Sequence, residues 1–330
     1  MAHDVSEEVL DQTDQRLIAA LQCDGRLTAE QAGRVLGMSA RTVRRRWRSL
    51  ADEGVARVVA LPPRPAGAGS VLLLRIKVLR GRIDTITSAL AARDDIPLID
   101  LSASGDEISA VAWTRPGSRD RLVFRQLPST QAVTDVTAAT ALHAFREAPE
   151  WRHDVLTPQE RAALTPPAGY DSHQALTPAA GGPAAPADPT DEVVLTELLR
   201  DVRAPAAEVA ARTGLPESTV RRRIARLGTR GLPRTQVVVD PARLGLAIDA
   251  NIWMRVAPGR LDAVGRALAG HPAVHGAVAT TGVANLHAAV WMRDLDHLYR
   301  FVSAELGELG VEYAETVIVG RAVKRPHMAG

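Results

Sequence analysis

The sequence predicts an α+β fold in which one unit of roughly 140 residues occurs twice along the chain. The first observation is an internal repeat, because the segment TVRRR at 42–46 recurs at 219–223, which is 177 positions later. The second is that Gly37 and Gly214 keep the same separation. The third is the order of the elements, since helical periodicity at the start of each repeat gives way to alternating strands and helices.

The composition is that of a globular protein whose basic surface is local. The formal net charge is only +2, and of the 40 basic residues all except Lys77 and Lys324 are arginine, which suits phosphate and guanine. The single Cys23 excludes an internal disulfide. The acidic N-terminus lacks a signal-peptide core, and no apolar run reaches the roughly 18 residues of a membrane span. We therefore expect a cytoplasmic protein with no membrane partner.

Three short helices are predicted at the start of the first repeat. Asp11, Thr28 and Ser39 are the expected N-caps of helices that end near Gln22, Leu36 and Asp52. Gly37 supplies the turn between the second and third helices. This pattern is typical of a helix-turn-helix unit, and the β-prone stretch that follows Gly54 predicts a wing or a strand. Helical stripes and a matching glycine predict the same arrangement from Asp188 onward.

The third helix of each repeat predicts contact with double-stranded DNA. Val43, Trp47 and Leu50 recur at helical spacing and form one buried stripe, whereas arginines occupy the other faces. Such a helix suits the major groove, where it meets phosphates and base edges together. The predicted DNA-contacting residues are Ser39, Arg41, Thr42, Arg44, Arg45, Arg48, Ser218, Thr219, Arg221, Arg222 and Arg226.

The two third helices differ at their N-termini. The first begins Ser39-Ala40-Arg41 and the second Pro216-Glu217-Ser218. Glu217 is repelled by phosphate but can accept a hydrogen bond from cytosine N4, so the two helices are expected to contact different half-sites. The alternative, an arginine face that is merely solvated, is weakened because the arrangement occurs twice.

The remainder of each repeat predicts the βαββαβ order of a ferredoxin-like module. In the first repeat the helix before the last strand is predicted at Arg119–Leu127 and the last strand at Val133–Leu142; in the second repeat the last strand is predicted at Val311–Val319. Two such sheets can pair within one chain. The predicted domains are a helix-turn-helix at 8–62, a ferredoxin-like module at 70–147, a Pro/Ala/Gly-rich linker at 148–187, a helix-turn-helix at 188–240 and a ferredoxin-like module at 245–325.

The helix-turn-helix pattern resembles the leucine-responsive/asparagine (Lrp/AsnC) family of transcription regulators. The residues that carry the resemblance are Leu10-Asp11-x-x-Asp14, Leu21-Gln22-x-Asp24-Gly25-Arg26, Gly37-Met38-Ser39 and Val43-x-x-Arg46-x-x-x-Leu50-x-x-x-Gly54-Val55. The resemblance covers nearly everything except the linker. It implies sequence-specific DNA binding, modulation by an amino acid or related small effector, and a homodimer or higher homo-oligomer.

The same resemblance implies an effector site at the glycine turn between the middle strands of each module, usually as Gly-x-x-Asp. The first repeat has a turn that we expect to be one residue shorter, and the second has asparagine in place of the acid. Both departures put the family's ligand in doubt, and an ordinary hairpin turn is the alternative. The candidate effector residues are Ser104, Gly105, Asp106, Glu107, Thr281, Gly282 and Asn285.

Two other functions are compatible with the predicted fold. Sirohaem decarboxylases resemble the same family and occur as tandem fusions, but the Trp-Pro-Tyr-Asn and Phe-Lys-Gln runs associated with them do not occur here. A protein-interaction scaffold that has lost DNA binding is disfavoured by the arginine-rich faces. No set of nucleophile and base is evident, and the spacing of the histidines fits no metal site. We therefore expect no catalytic residues, no metal and no cofactor.

Overall fold

The structure is a computed structural model that describes residues 8–61, 69–114, 126–127, 130–164, 188–230 and 232–325. These residues form two compact units. The first contains both helix-turn-helix units, and the second is an eight-stranded sheet closed into a barrel. In the described ranges, no helix has both the length and the apolar character needed to cross a bilayer.

Within the described ranges, the elements follow one another in the order that the sequence analysis predicts. The helices are α1 (Gln12–Cys23), α2 (Ala29–Leu36), α3 (Ala40–Asp52), α4 (Ile83–Ala91), α5 (Pro158–Leu164), α6 (Pro189–Arg200), α7 (Ala206–Thr213), α8 (Glu217–Thr229), α9 (Leu261–Gly270), α10 (Leu295–Arg300) and α11 (Leu306–Glu308). The strands are β1 (Ala56–Ala60), β2 (Val71–Val78), β3 (Leu98–Ser102), β4 (Glu107–Trp113), β5 (Val133–Arg146), β6 (Thr235–Val239), β7 (Ile248–Arg255), β8 (Val274–Thr280), β9 (Leu286–Met292) and β10 (Tyr313–Lys324).

The first unit's N-terminal helices begin at the predicted caps. The side chain of Asp11 accepts a hydrogen bond from the N–H of Asp14, and Thr28 forms a capping box with Gln31. Ser39 caps α3. These local hydrogen bonds satisfy backbone N–H groups that a helix start leaves without partners, which is why the caps fix the boundaries.

The buried stripe of α3 is confirmed at two positions and altered at the third. Val43 and Leu50 are buried, whereas Trp47 is only partly buried. The guanidinium of Arg203 lies 5.5 Å from the centroid of the Trp47 ring. Trp47 therefore lies at the edge of its own unit's core and makes a cation–π contact with the second helix-turn-helix unit.

Part of the predicted linker packs into the first unit. Trp151, Leu156 and Leu164 are buried, and α5 lies between the latter two residues. The backbone N–H of His153 donates to the side-chain oxygen of Gln22 over 2.8 Å. The more Pro/Ala/Gly-rich remainder of the predicted linker, residues 165–187, lies outside the described residues.

The barrel consists of two four-stranded halves with the same strand order. The first half is β3-β4-β2-β5 and the second is β8-β9-β7-β10, and the strands pair antiparallel within both halves. Each half has its own apolar core under helices, with Leu74 and Ile76 in the first and Ile252 and Met254 in the second. The helix predicted at Arg119–Leu127 lies almost entirely outside the described residues.

Two seams, β3–β10 and β5–β8, join the halves, and they explain why two strands exceed their predicted ends. Strand β5 continues four residues beyond the predicted Leu142, and Ala141–Arg146 is the part that pairs with β8. Strand β10 continues beyond the predicted Val319, and Val319–Lys324 pairs with β3. Partners more than a hundred residues away thus extend segments whose own composition does not mark them as strand.

Candidate nucleic-acid interface and ligand cleft

Helix α3 exposes a set of cations and has few acidic neighbours. Its exposed, predicted DNA-contacting arginines are Arg41, Arg44, Arg45 and Arg48. Arg44 forms an exposed ion pair with Glu30 over 2.5 Å, whereas within the described ranges the other three have no acidic partner. At the N-terminus, the hydroxyls of Ser39 and Thr42 lie 2.9 Å apart. The surface can therefore offer both hydroxyl and guanidinium donors to a nucleic acid.

Helix α8 presents a similar set of arginines, but carboxylates engage more of them. Arg221 pairs with Glu217 over 2.5 Å, and Nε of Arg226 lies 3.5 Å from Asp191. Arg222 is exposed, and no acid of the described chain pairs with it. Ser218 is exposed and Thr219 is half-buried. Pro216 begins the helix without a side-chain cap.

The third arginine of each repeated TVRRR segment has a structural role. Arg46 binds Asp11 and Asp14 over 2.7 and 2.9 Å. Arg223, 177 positions later, binds Asp188 and Asp191. In both units this arginine ties the third helix to the start of the first. The N–H of Asp14 and the guanidinium of Arg46 hold the pKa of the Asp11 carboxyl below its ordinary value.

Two further arginines join the two helix-turn-helix units reciprocally. Arg203 donates to the carbonyl oxygens of Gly25 and Leu27 over 2.6 and 3.2 Å. Arg26, 177 positions earlier, donates to the carbonyl oxygens of the matching residues, Val202 and Ala204. One pair of the β1–β6 ladder, Val59 with Gln236, also has a separation of 177 positions. The two units are thus related by an approximate two-fold axis.

The β3–β10 seam contains a polar cleft with a volume of about 410 Å³. Predicted effector residues Ser104, Asp106 and Glu107 line it, together with Lys77 and Glu315, which the sequence analysis did not identify. The Ser104 hydroxyl donates to the Asp106 carboxylate over 2.5 Å, and this bond holds the pKa of Asp106 below its ordinary value. Gly105 adopts a positive φ of 73° in the turn.

One guanidinium organises the floor of this cleft. Arg75 donates two hydrogen bonds to Glu107, over 2.8 and 2.9 Å, and two to Glu315, each over 2.7 Å. The paired guanidinium lowers the pKa of Glu315 and the two carboxylates raise the pKa of Arg75. One guanidinium therefore fixes both Glu107 and Glu315 in place, one on each side of the seam.

The β5–β8 seam is built differently at the matching loop. The amide of Asn285 accepts from the N–H and donates to the carbonyl of Val256, over 2.9 and 2.8 Å. Thr281 exchanges two hydrogen bonds with the backbone of Thr140, each over 2.9 Å. The side chains of Asn285 and Thr281, which were predicted to bind an effector, thus form hydrogen bonds to the protein's own backbone. Gly282 has a positive φ of 105°.

The first loop is not shorter than the second, which corrects the expectation drawn from the sequence. Leu101 pairs with Ile108 and Ala279 pairs with Leu286, so each pair closes a connection of six residues. Matching Gly105 with Gly282 shifts the two loops by one position relative to each other. Strand pairing, not the position of the glycine, sets the length of each loop. In that register, Glu107 occupies the position of Asn285.

The histidines considered as metal ligands are spread over separate environments. His287 Nε2 lies 3.0 Å from the Asn251 side chain, and burial lowers the pKa of His287 to about 3. His275 stacks on Trp291 at a centroid distance of 3.9 Å. His271 and His297 lie beside Glu305 and Asp294 instead. In the described residues, no three potential ligands converge on one point.

Next to His275, two carboxylates share one guanidinium. Arg325 lies 2.8 Å from Asp100 and 2.9 Å from Asp249. Burial raises the pKa of Asp100 to about 7 despite the nearby Arg325. Burial acts to raise the pKa of Asp249, but the neighbouring His275, whose Nε2 lies 3.8 Å from the carboxylate, and Arg325 keep that pKa below its ordinary value.

Comparison with known proteins agrees with these observations. The AsnC-type helix-turn-helix domain matches residues 10–51 and 188–227, and the Lrp/AsnC ligand binding domain matches residues 249–328. The HTH-type transcriptional regulator FL11 of Pyrococcus horikoshii is 30% identical over 135 residues, which cover 41% of this chain and 89% of that protein. The regulator LrpA of the same organism is 26% identical over 123 residues, covering 37% and 87%.

Among solved structures, the siroheme decarboxylase NirDL aligns over 96% of this chain and 93% of its own, with a TM-score of 0.56 and 15% identity. That likeness shows a common fold. Two helix-turn-helix units and a ligand-binding domain define the class of protein. The chain belongs to the Lrp/AsnC family.

Sequence reasoning missed the residues whose partners are distant in the chain. Arg26 and Arg203 are the last residues of two matching Asp-x-Arg segments. The separation of 177 positions between these segments was a signal that could have identified the reciprocal contact. Arg75 and Glu315 are 240 positions apart, and their matched positions in the other half carry Trp253 and Thr137. No repeat pattern marks that pair.

Proposed function

We propose that the protein is a sequence-specific, double-stranded DNA-binding transcription regulator. The observation that carries the proposal is the pair of arginine-lined third helices, which the reciprocal contacts of Arg26 and Arg203 hold about one two-fold axis. Dyad-related helices of this kind fit successive major grooves of a duplex. The family relatives named as transcription regulators support the same conclusion.

The test measures affinity for the DNA upstream of the protein's own gene against a scrambled duplex, by fluorescence anisotropy at several salt concentrations. We expect sequence-dependent binding with a steep salt slope, which the double variant Arg44→Ala/Arg45→Ala weakens and makes shallower. Arg266→Ala is the matched control, because Arg266 is exposed and pairs only with Asp262 on α9 of the barrel unit. Unchanged affinity of the double variant rules out α3 as the binding surface.

We further propose that the chain is a tandem duplication in which each half pairs a helix-turn-helix unit with a ferredoxin-like module. The identical strand order of the two halves of the barrel supports it. The cleft beside Ser104, Asp106 and Glu315 is the proposed effector site. Its carboxylates suit the ammonium of an amino acid, and Lys77 suits its carboxylate.

We infer that the protein is not an enzyme. The regulators of 26–30% identity support this inference, while the decarboxylase shares the fold at 15% identity. Titration of the purified protein with an iron porphyrin, followed by absorbance, tests it. A stoichiometric spectral change with turnover of the porphyrin's carboxyl groups contradicts the inference.

A further inference from the structure

The approximate two-fold axis places both third helices of one chain in a fixed relation. Arg26 and Arg203 each bind the backbone of the other unit, and β1 pairs with β6 between them. The contact is also close, since a Cβ on Gly25 meets the Thr235 hydroxyl at 2.5 Å. One chain thus carries two helices in inverted orientation, which is the arrangement that contacts two inverted half-sites.

The electrostatic surfaces of the two helices are unequal. Helix α3 has three exposed arginines with no acidic partner in the described chain, whereas α8 has one, Arg222. The positions of α8 that match Arg41 and Arg48 of α3 carry Ser218 and Ala225. Because each contacted phosphate releases counterions, α3 contributes more of the salt-dependent affinity than α8.

The helix N-termini are unequal in the opposite sense. At α3 the exposed groups are the Ser39 hydroxyl and the Arg41 guanidinium, which donate hydrogen bonds to base acceptors and carry no negative charge. At α8 the Glu217 carboxylate is exposed and paired with Arg221. A carboxylate beside DNA is repelled by phosphate unless a base donor, such as cytosine N4, compensates it. The second helix therefore contributes less electrostatic affinity, and its N-terminus favours a base that donates a hydrogen bond to a carboxylate.

We propose that one chain recognises a single asymmetric DNA site, composed of two different half-sites in inverted orientation. The α3 half-site supplies most of the electrostatic affinity, and the α8 half-site contains a cytosine opposite Glu217. The proposal rests on the proposed DNA-binding function and adds the identity of the DNA to it.

The first experiment enriches binding sequences for the full chain from a randomised duplex pool of about 30 base pairs, long enough for two half-sites. We expect a bipartite consensus whose inverted halves differ. Three duplexes then carry the mixed pair or either half twice, and the mixed duplex is expected to bind at least about tenfold more tightly. A palindromic consensus, or equal binding of the three duplexes, overturns this inference and leaves the regulator function standing. Failure to enrich any sequence overturns both.

Matched variants assign the half-sites to the helices. Arg45→Ala and Arg222→Ala alter residues 177 positions apart, and hydroxyl-radical footprints are expected to lose protection over opposite halves of the site. Glu217→Gln is expected to relax the cytosine preference about tenfold in one half only. Loss of protection over both halves in each variant, or an unchanged preference in Glu217→Gln, contradicts the assignment.

Discussion

The helices α3 and α8 make the same ion pairs to the first helix of their own unit, but they differ in the residues that they expose to solvent. Inside, Arg46 and Arg223 bind matching pairs of aspartates at the start of α1 and α6. Outside, Arg41 and Arg48 have no charged counterpart at Ser218 and Ala225. The comparison shows that the contacts that hold the helix in place occur in both units, while the residues available to a partner differ.

The two seams of the barrel repeat this lesson. Both join the halves through antiparallel pairing. At the first, Glu107 and Glu315 face a cleft across the guanidinium of Arg75. At the second, Asn285 binds the backbone of Val256. The β3–β10 seam thus has charged groups that line a cleft. At the β5–β8 seam, the side chain at the matching loop position stabilises the backbone instead.

The largest expected effect comes from removing the ion pairs that Arg223 makes with Asp188 and Asp191 in the second helix-turn-helix unit. The Asp191 side chain is only 3% exposed, and Arg223→Ala removes its nearest partner, leaving the more distant Arg226 and Arg230 at 3.5 and 3.9 Å. The variant is expected to cost about 3 kcal/mol of unfolding free energy. Arg46→Ala is expected to cost less, because Asp14 is 18% exposed. Urea unfolding followed by circular dichroism measures both. Arg222→Ala is the control, and equal losses in all three variants contradict the comparison.

The next effect concerns Asp100, whose matched position in the second half carries Val278. Its folded pKa of about 7 exceeds the unfolded value of about 3.9, so the folded state keeps a proton that the unfolded state loses. The destabilisation by Asp100 therefore grows between these pH values and is constant above them. Asp100→Asn removes it, and the stability of the variant relative to wild type is expected to rise by an amount on the order of a few kcal/mol from pH 4 to pH 8.

Thermal melting of both proteins across this range tests the sign. A difference that stays constant or falls as the pH rises shows that pairing with Arg325, not burial, dominates the energy of Asp100.

A smaller effect distinguishes the two seams as ligand sites. Lys77 lines the cleft, whereas Arg255, at the matched position, pairs with Glu312 over 3.2 Å. We expect that an amino acid from a panel of the proteinogenic set stabilises wild type by about 2.7 kcal/mol at a hundred times its dissociation constant. The stabilisation is detected as a rise in the melting temperature. Lys77→Ala is expected to abolish the shift and Arg255→Ala to retain it. Loss of the shift in both variants argues against one functional cleft.

The smallest effect is a transfer of charge between the third helices. Arg48→Ala removes a cation from α3, and Ala225→Arg introduces one at the matched position of α8. The slope of log affinity against log salt is negative. Its magnitude is expected to fall by about 0.9 in the first variant and to rise by about 0.9 in the second. If neither slope changes, these positions lie away from the phosphates.

What the sequence predicted well was local, and what it missed was distant. The starts of α1, α2 and α3 depend on Asp11, Thr28 and Ser39, which bond to backbone groups two or three residues away. The end of β5 at Arg146 and the charged floor of the cleft depend on pairing across a seam. For the site, the cleft residues on the glycine turn were predicted, but Lys77 and Glu315 were not, because no spacing rule connects their strands.

The closed barrel has a consequence for gene dosage. Each of its eight strands has a hydrogen-bonded neighbour of the same chain on both sides, so pairing of the halves does not depend on meeting a second polypeptide. Separate subunits that associate weakly must first find each other, and their active population falls with the square of their abundance. Here the two halves are present at a fixed ratio of one to one and at a local concentration set by the chain itself. Pairing of the two halves therefore adds no concentration dependence to occupancy of an operator, even in a cell that contains only a few molecules.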